Sequence, residues 1–239
     1  MTQLFVSDLH LDASAPATVE LFLGFLAREA REAQRLYILG DLFETWIGDD
    51  DPDPTRRKVC TALRELTSRG VEIFIMEGNR DFLYSTGFET LTGATIIADP
   101  TVAIFGGTRV LLTHGDLLCT DDHSYQELRS TVRNARFKER VLRLDIEARQ
   151  LLAAGARAGS KAHTRASAAD IMDVNEKAVV AAFEATDTLK MIHGHTHRPG
   201  EHTHMTANGP AQRIVLSAWD ESGEYLEIKG DKRTRHRVL

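Results

Sequence analysis

The chain is poor in the features that assign a protein to several common classes. It has two cysteines, Cys60 and Cys119, in 239 residues, and they form no Cys-x-x-Cys pair. That argues against a disulfide framework or a thiolate zinc module, and both thiols are expected to be reduced, in or near the core. No apolar run approaches the roughly 20 residues needed to span a bilayer. The N-terminus has no basic segment and meets Asp8 after a few apolar residues, so no signal peptide is expected. Positive charge is not in excess: the net charge is −6 and the pI about 5.9, which argues against a general nucleic-acid binder. Internal repeats and low-complexity segments are absent too. The remaining composition, 42% hydrophobic and 27% charged, is ordinary for a globular protein of one large domain, or one domain with an insert. The expected location is cytoplasmic, at most on a membrane surface.

What the chain does have is a set of short apolar runs that end in carboxylates, amides or imidazoles. Leu36–Leu39 runs into Gly40-Asp41, and Leu4–Ser7 into Asp8-Leu9-His10. Val71–Met76 leads to Gly78-Asn79-Arg80-Asp81, and Val110–Thr113 to His114-Gly115-Asp116. Leu189–Ile192 leads to His193-Gly194-His195-Thr196-His197. Short apolar runs of this kind predict buried strands, and the residue past each end sits at the rim where open α/β sheets bind ligands. Asp41 is placed at the centre, as a carboxylate bridging two metal ions.

Between these runs, Pro16 with Val19, Phe22, Leu23, Phe25 and Leu26 predicts a helix. Pro54 with Val59, Leu63 and Leu66 predicts a second, stopped by Gly70. The alternation is that of α/β layering. Val102–Phe105 and Thr108–Leu112 flank Gly106-Gly107 as a hairpin. Arg213–Ser217, Tyr225–Ile228 and a short strand near Val238 predict a second sheet, so the expected core is a β-sandwich with helices outside.

The stretch from Asp122 to about Ala168 has no strand pattern and predicts helices, with Leu128, Val132, Phe137, Val141, Leu142, Leu144 and Ile146 apolar. Ten Lys/Arg face five acids there, on a chain that is acidic elsewhere. Any one of these charges is ordinarily a solvated helix face. Together they imply an anionic partner, either a substrate phosphate or an anionic membrane surface.

Asp8, His10, Asp41, Asn79, His114, His195 and His197 are the candidate metal ligands. A lone histidine at a strand end is more often structural than a ligand, but seven candidates at five successive strand ends are a constellation. Oxygen and imidazole donors suit Mn²⁺, Fe²⁺ or Zn²⁺ better than Ca²⁺. His123, His163, His193, His202, His204 and His236 take the structural reading.

Asp8-x-His10, Gly40-Asp41, Gly78-Asn79, His114 and Gly194-His195-x-His197 together resemble the five blocks of the calcineurin-like metallophosphoesterases, over almost the whole chain. The resemblance implies an α/β metallophosphoesterase sandwich flanked by helices. It implies two metals, one held by Asp8, His10, Asp41 and His197, the other by Asp41, Asn79, His114 and His195, clamping a phosphoryl group for in-line attack. The expected cofactor is two Mn²⁺, with Mg²⁺, Fe²⁺ and Zn²⁺ as alternatives. Most such enzymes carry His after Gly-Asn, where it protonates an alcohol leaving group. Arg80 cannot give up a proton, so it points to a phosphoanhydride, whose phosphate leaving group needs none.

Gly40–Asp50 (Gly-Asp-Leu-Phe-Glu-x-Trp-Ile-Gly-Asp-Asp), Gly78–Phe82, His114–Asp116, Ile171–Asn175 and Gly194–Pro199 are similar to one subgroup, the UDP-2,3-diacylglucosamine hydrolases of lipid A synthesis. That likeness implies an inserted helical lid over 122–168 on a core of 1–121 and 169–239, with the lid clasping two acyl chains. It implies catalytic roles for Arg80, Asp41, Asn79 and His195. Substrate contacts are implied at Asn79, Arg80, Asp122, Ser160, Thr164, Ser167 and His195. Many members carry Lys at the Ser167 position and Asn at Thr164, and Arg165 or Lys161 is the candidate replacement. The expected reaction releases UMP and 2,3-diacylglucosamine 1-phosphate, water entering at the α-phosphorus. The expected enzyme works on an anionic nucleotide-lipid at the cytoplasmic face of the inner membrane, as a peripheral protein, and binds no nucleic acid. The competing readings are a generic phosphodiesterase or nuclease of the superfamily, and a non-catalytic scaffold on the same fold.

Overall fold

The computed structural model describes residues 1–166, 173–220 and 222–238, with backbone alone over 161–166. One sheet is built from β1 (Thr2–Val6), β2 (Arg35–Leu39), β3 (Glu72–Met76), β4 (Thr95–Ile97), β10 (Gly223–Lys229) and β11 (Lys232–Val238), in the order β11-β10-β1-β2-β3-β4. The other holds β5 (Thr101–Phe105), β6 (Thr108–Leu112), β7 (Lys190–His193), β8 (Gly200–Thr206) and β9 (Gly209–Val215), in the order β5-β6-β7-β9-β8.

The alternation of side chains along β1, β2 and β3 explains the layers. Leu4, Val6, Leu36, Ile38, Ile73 and Ile75 point to one core with Phe22, Phe25, Val59 and Leu63, from helices α1 (Pro16–Ala27) and α2 (Pro54–Ser68). Phe5, Tyr37, Leu39 and Met76 point the other way, onto Phe105, Val110, Leu112, Ile192 and Ile214 of the second sheet. Tyr37 stacks between Phe5 and Phe74, at 4.9 Å from each, and Phe105 meets both Phe5 and Tyr37 edge-on. Fully burying a side chain of this size is worth about 1.5–3 kcal/mol. A third core packs Val179 and Phe183 of α7 (Glu176–Thr186) on Leu111, Met191 and Ala211. The result is a sandwich with helices on both outer faces, as the sequence predicts, but the C-terminal strands do not share the second sheet. β9 joins it, whereas β10 and β11, predicted there too, extend the first sheet because β10 pairs antiparallel with β1.

β1, β2 and β3 run parallel, as do β6 and β7, so their C-terminal ends gather at one rim. The predicted β5–β6 hairpin forms, with positive φ at both Gly106 and Gly107. Sequence reading missed β4, β8, α7 and the short α3 (Thr86–Thr92). β8 is an edge strand of Glu, His and Thr without an apolar run. α7 was legible: Asn175 caps it by accepting from the N–H groups of Lys177 and Ala178, and Val179 and Phe183 lie one turn apart.

Residues 123–166 form three helices, α4 (His123–Val132), α5 (Ala135–Leu142) and α6 (Ile146–Ala166). α4 and α5 bury no side chain completely, although Val141 and Leu142 pack against the first core. Charge ties them down. Arg133 and Lys138 both grip Glu77, at 2.8 and 2.6 Å, and Arg129 reaches Asp116 at 2.9 Å and Asp99 at 3.1 Å. Arg149 pairs with Asp50. Much of the basic charge that the sequence assigns to an anionic partner is therefore spent on acids of the core.

Candidate metal centre

Each candidate ligand sits just past a parallel strand, and at five of the seven the backbone is strained. Among the described residues, six non-glycine positions have left-handed φ: Asp8 (53°), His10 (48°), Asp41 (53°), His195 (67°), His197 (53°) and Asp187 (48°). Five of the six are candidate ligands. Such a conformation costs on the order of 1–3 kcal/mol per residue and persists only where the surroundings impose it. Two glycines make the crowding possible. A Cβ on Gly78 would fall inside the Asp41 carboxylate, and one on Gly194 inside the Asp8 carboxylate.

The side chains converge as two overlapping groups. Donor atoms of Asp8, His10 and His197 lie within 4.8 Å of one another, as do those of Asp8, Asp41 and His114. His10 Nε2 is 3.3 Å from His197 Nε2 and 3.8 Å from Asp41 Oδ2. His114 Nε2 is 3.9 Å from the same Asp41 oxygen and 3.0 Å from Asn79 Oδ1, which also lies 3.0 Å from His195 Nδ1. Asp41 thus stands between the His10/His197 pair and the His114/Asn79/His195 group. All seven sequence-predicted ligands come together.

Charge and hydrogen-bond roles fit a cation here. Asp8, Asp41 and His114 are almost wholly buried. Burial pushes the His114 imidazole down, but Asp41, Asp116, Asp8 and Asp99 outweigh it and lift it to about 9. Burial and the nearby His114 push His195 down to about 4, so its ring is a neutral donor set. Burial would raise Asp8, yet His197, His114 and His10 hold it well below the usual carboxylate range. His114 Nδ1 lies 2.9 Å from the Leu39 carbonyl and His10 Nδ1 3.3 Å from Glu44 Oε2. With Nδ1–H donating to those oxygens, both Nε2 atoms face the centre; the surrounding carboxylates favour a proton on them when no metal is bound, and a divalent cation would take the place of that proton. Buried carboxylates that draw protons onto neighbouring imidazoles mark a place where positive charge is favoured, which a divalent cation supplies.

The roles of several supporting residues were not legible in the sequence, because each has at least one partner remote in the chain. Asp81 is fully buried and receives the N–H groups of Gly78 (2.8 Å), Asp41 (3.3 Å) and Phe43 (3.2 Å) and the Tyr84 hydroxyl (2.5 Å). It locks the Asp41 and Asn79 loops together. Burial and the Asp41 charge push its carboxyl up to about 6 against the Tyr84, Gly78 and Phe43 donors. Glu44 stands between His10 and Arg80, whose Nη1 is 4.0 Å from Oε1. Asp116 receives Tyr125, Arg129 and, at 3.6 Å, Arg133.

The predicted substrate contacts divide. Arg80 is beside the centre: its N–H donates to Asp41 Oδ1 at 2.8 Å, and its buried Nε has no partner among the described residues. Asp122 caps α4 by accepting from Tyr125 N–H at 3.0 Å. Ser160 lies half-buried on α6. The Thr164, Lys161 and Arg165 side chains and all of Ser167 lie outside the described residues.

The calcineurin-like phosphoesterase family pattern matches residues 1–199. A curated UDP-2,3-diacylglucosamine hydrolase of Salmonella arizonae is 47% identical over 97% of this chain and 96% of its own length. The one of Salmonella paratyphi B is 46% identical over the same shares. A solved archaeal phosphodiesterase aligns over 100% of this chain and 99% of its own, at 11% identity and a TM-score of 0.48. The chain belongs to the calcineurin-like phosphoesterase family and, within it, to the UDP-2,3-diacylglucosamine hydrolases.

Proposed function

We propose that this protein hydrolyses the pyrophosphate bond of UDP-2,3-diacylglucosamine, releasing UMP and 2,3-diacylglucosamine 1-phosphate, with water attacking the α-phosphorus. The observation that carries the reading is the placing of left-handed strain on Asp41 and on four candidate ligands around it. No fold needs that strain at five neighbouring carboxylate and imidazole positions, whereas a centre that must aim them inward does. Asp8, His10, Asp41 and His197 would hold one divalent ion, and Asp41, Asn79, His114 and His195 the other. Mn²⁺ is the preferred ion for this mixed oxygen and nitrogen set, with Mg²⁺, Fe²⁺ or Zn²⁺ as alternatives. When bound, such a pair polarises phosphoryl oxygens and lowers the pKa of water.

The chain's own residues do the rest. Asp41 sets the spacing of the two groups from its buried position. Arg80, whose backbone N–H donates to Asp41, offers a permanently charged guanidinium to the phosphoryl oxygens, and no proton to the leaving group. A phosphate leaving group needs none, so Arg80 favours an anhydride over an alkyl ester. Helices α4–α6, as a lid on a core of 1–121 and 169–239, supply apolar surface for the acyl chains. Leu128, Leu144, Leu151 and Leu152 are 55%, 41%, 77% and 54% exposed there, which a lipid or bilayer surface would cover. No helix among the described residues is long and apolar enough to cross a membrane, so the association we infer is peripheral, at the cytoplasmic face of the inner membrane.

The test is turnover of the diacyl nucleotide against bis-p-nitrophenyl phosphate, with Mn²⁺ and with a chelator. Chelator-sensitive hydrolysis that strongly favours the anhydride is expected. Equal or better turnover of the diester would move the assignment to a general phosphodiesterase, and no turnover of either to a scaffold.

A further inference from the structure

His193 is wedged between the two loops that carry His114 and His195. Its ring fills the space left by Gly115, where a Cβ would lie 2.6 Å from Nδ1. From there a chain of polar side chains runs away from the centre. His193 Nε2 is 3.1 Å from Arg213 Nη1 on β9, and Arg213 Nε is 3.0 Å from His204 Nε2 on β8. His204 Nδ1 is 2.7 Å from Glu176 Oε1, at the start of α7. His193, His204 and Arg213 are 0%, 5% and 6% exposed.

A guanidinium only donates hydrogen bonds. Both Nε2 atoms facing Arg213 must therefore be bare acceptors, and both rings must carry their hydrogen on Nδ1. The His204 Nδ1–H then donates to Glu176, and the His193 Nδ1–H to the Gly194 carbonyl at 2.8 Å. One residue sets the direction of the whole chain. Gly194 is also the joint of the ligand loop. Its carbonyl accepts from Thr196 N–H at 2.8 Å, its own N–H donates to the His114 carbonyl at 2.9 Å, and the next N–H, of His195, donates to Asp8.

We propose that Arg213 is a positioning residue of the metal centre: by holding His193 in the Nδ1–H tautomer, it fixes the Gly194 carbonyl and hence the aim of His195 and His197. The inference rests on the reading of those two histidines as ligands. Without the Arg213 donor, His193 is free to take the Nε2–H tautomer. Its Nδ1 lone pair then faces the Gly194 carbonyl oxygen, two acceptors in contact. The loop, already left-handed at both histidines, loses one of the bonds that impose that conformation.

Two measurements test this. Long-range proton–nitrogen spectra of the ¹⁵N-histidine-labelled wild type should show His193 and His204 neutral, with hydrogen on Nδ1. A His193 hydrogen on Nε2 would overturn the proposal before any substitution is made. Calorimetric titration of the stripped protein with Mn²⁺ alone should show Arg213→Met binding about ten- to a hundredfold more weakly. Its kcat should fall while KM for the nucleotide-lipid holds. Arg213→Lys, which keeps a cationic donor for one ring, should regain part of the affinity and carries the test if Arg213→Met does not fold. Wild-type Mn²⁺ affinity in either folded variant, with the His193 tautomer changed, would overturn the positioning role. A wild-type chain that bound no Mn²⁺ would overturn the reading of the centre itself, a failure told apart because the tautomers are read without metal.

Discussion

Arg149 holds Asp50 with both arms of its guanidinium, at 2.7 and 2.6 Å, and donates also to the Ile47 carbonyl at 2.7 Å. This joins α6 to the loop that follows Asp41. The Arg149 hydrogen bond keeps the Asp50 carboxyl below the usual carboxylate range. Such a depressed carboxylate adds stability above its unfolded value, about 3.9, and loses it as pH falls through the folded one. Asp50 is 61% exposed, so water screens the pair, and Arg149→Met should cost only about 1 kcal/mol. Urea unfolding of wild type and variant should differ at pH 7, and the difference should shrink as pH falls below about 4 and through the depressed folded pKa. A difference that ignored pH would assign the effect to packing of the side chain.

Asp81 answers for four donors from two ligand loops. In Asp81→Asn the amide NH₂ must face some of those N–H groups, leaving buried donors unpaired. A loss of about 2–3 kcal/mol is expected. Thermal unfolding checks it, and a variant with the wild-type Tm would show that Asp81 does not lock the loops.

Arg80→Ala should cost roughly 2–4 kcal/mol of transition-state stabilisation, the scale of one lost oxyanion donor. Arg80→His should restore little activity on the anhydride but should improve hydrolysis of esters with alkoxide leaving groups, where a proton donor helps. The readout is kcat/KM on both substrate types. Anhydride turnover untouched in Arg80→Ala would remove Arg80 from the chemistry.

Asp41 lies near both imidazole groups, whereas His197 approaches only the Asp8/His10 side. Asp41→Ala should therefore lower occupancy of both metal positions, and His197→Ala mainly one. Elemental analysis of the purified variants decides this. Two ions per chain in Asp41→Ala would rule out a bridging carboxylate.

The centre was legible in the sequence because buried parallel strands are apolar runs, and whatever follows them must lie at the rim. Asp8, Asp41, Asn79, His114 and His195 are all placed by that rule. The supporting layer was not legible. Nothing local marks Asp81 as the partner of Phe43 N–H, or Arg213 as the partner of His193, because those contacts depend on which strands become neighbours and in what register. The insert illustrates the same limit. Its basic residues invited an external anion, but Arg133 and Lys138 close on Glu77 and Arg129 on Asp116. Polar edge strands such as β8 carry too little periodicity to be found.

The site is proposed to cleave a nucleotide-lipid anhydride at the nucleotide-side phosphorus. The most direct measurement is hydrolysis of UDP-2,3-diacylglucosamine by the Mn²⁺-loaded protein in water enriched in oxygen-18, with both products weighed by mass spectrometry. Attack at the α-phosphorus puts one heavy oxygen in UMP and none in the lipid monophosphate. Heavy oxygen in the lipid monophosphate, or no cleavage at all, would contradict it.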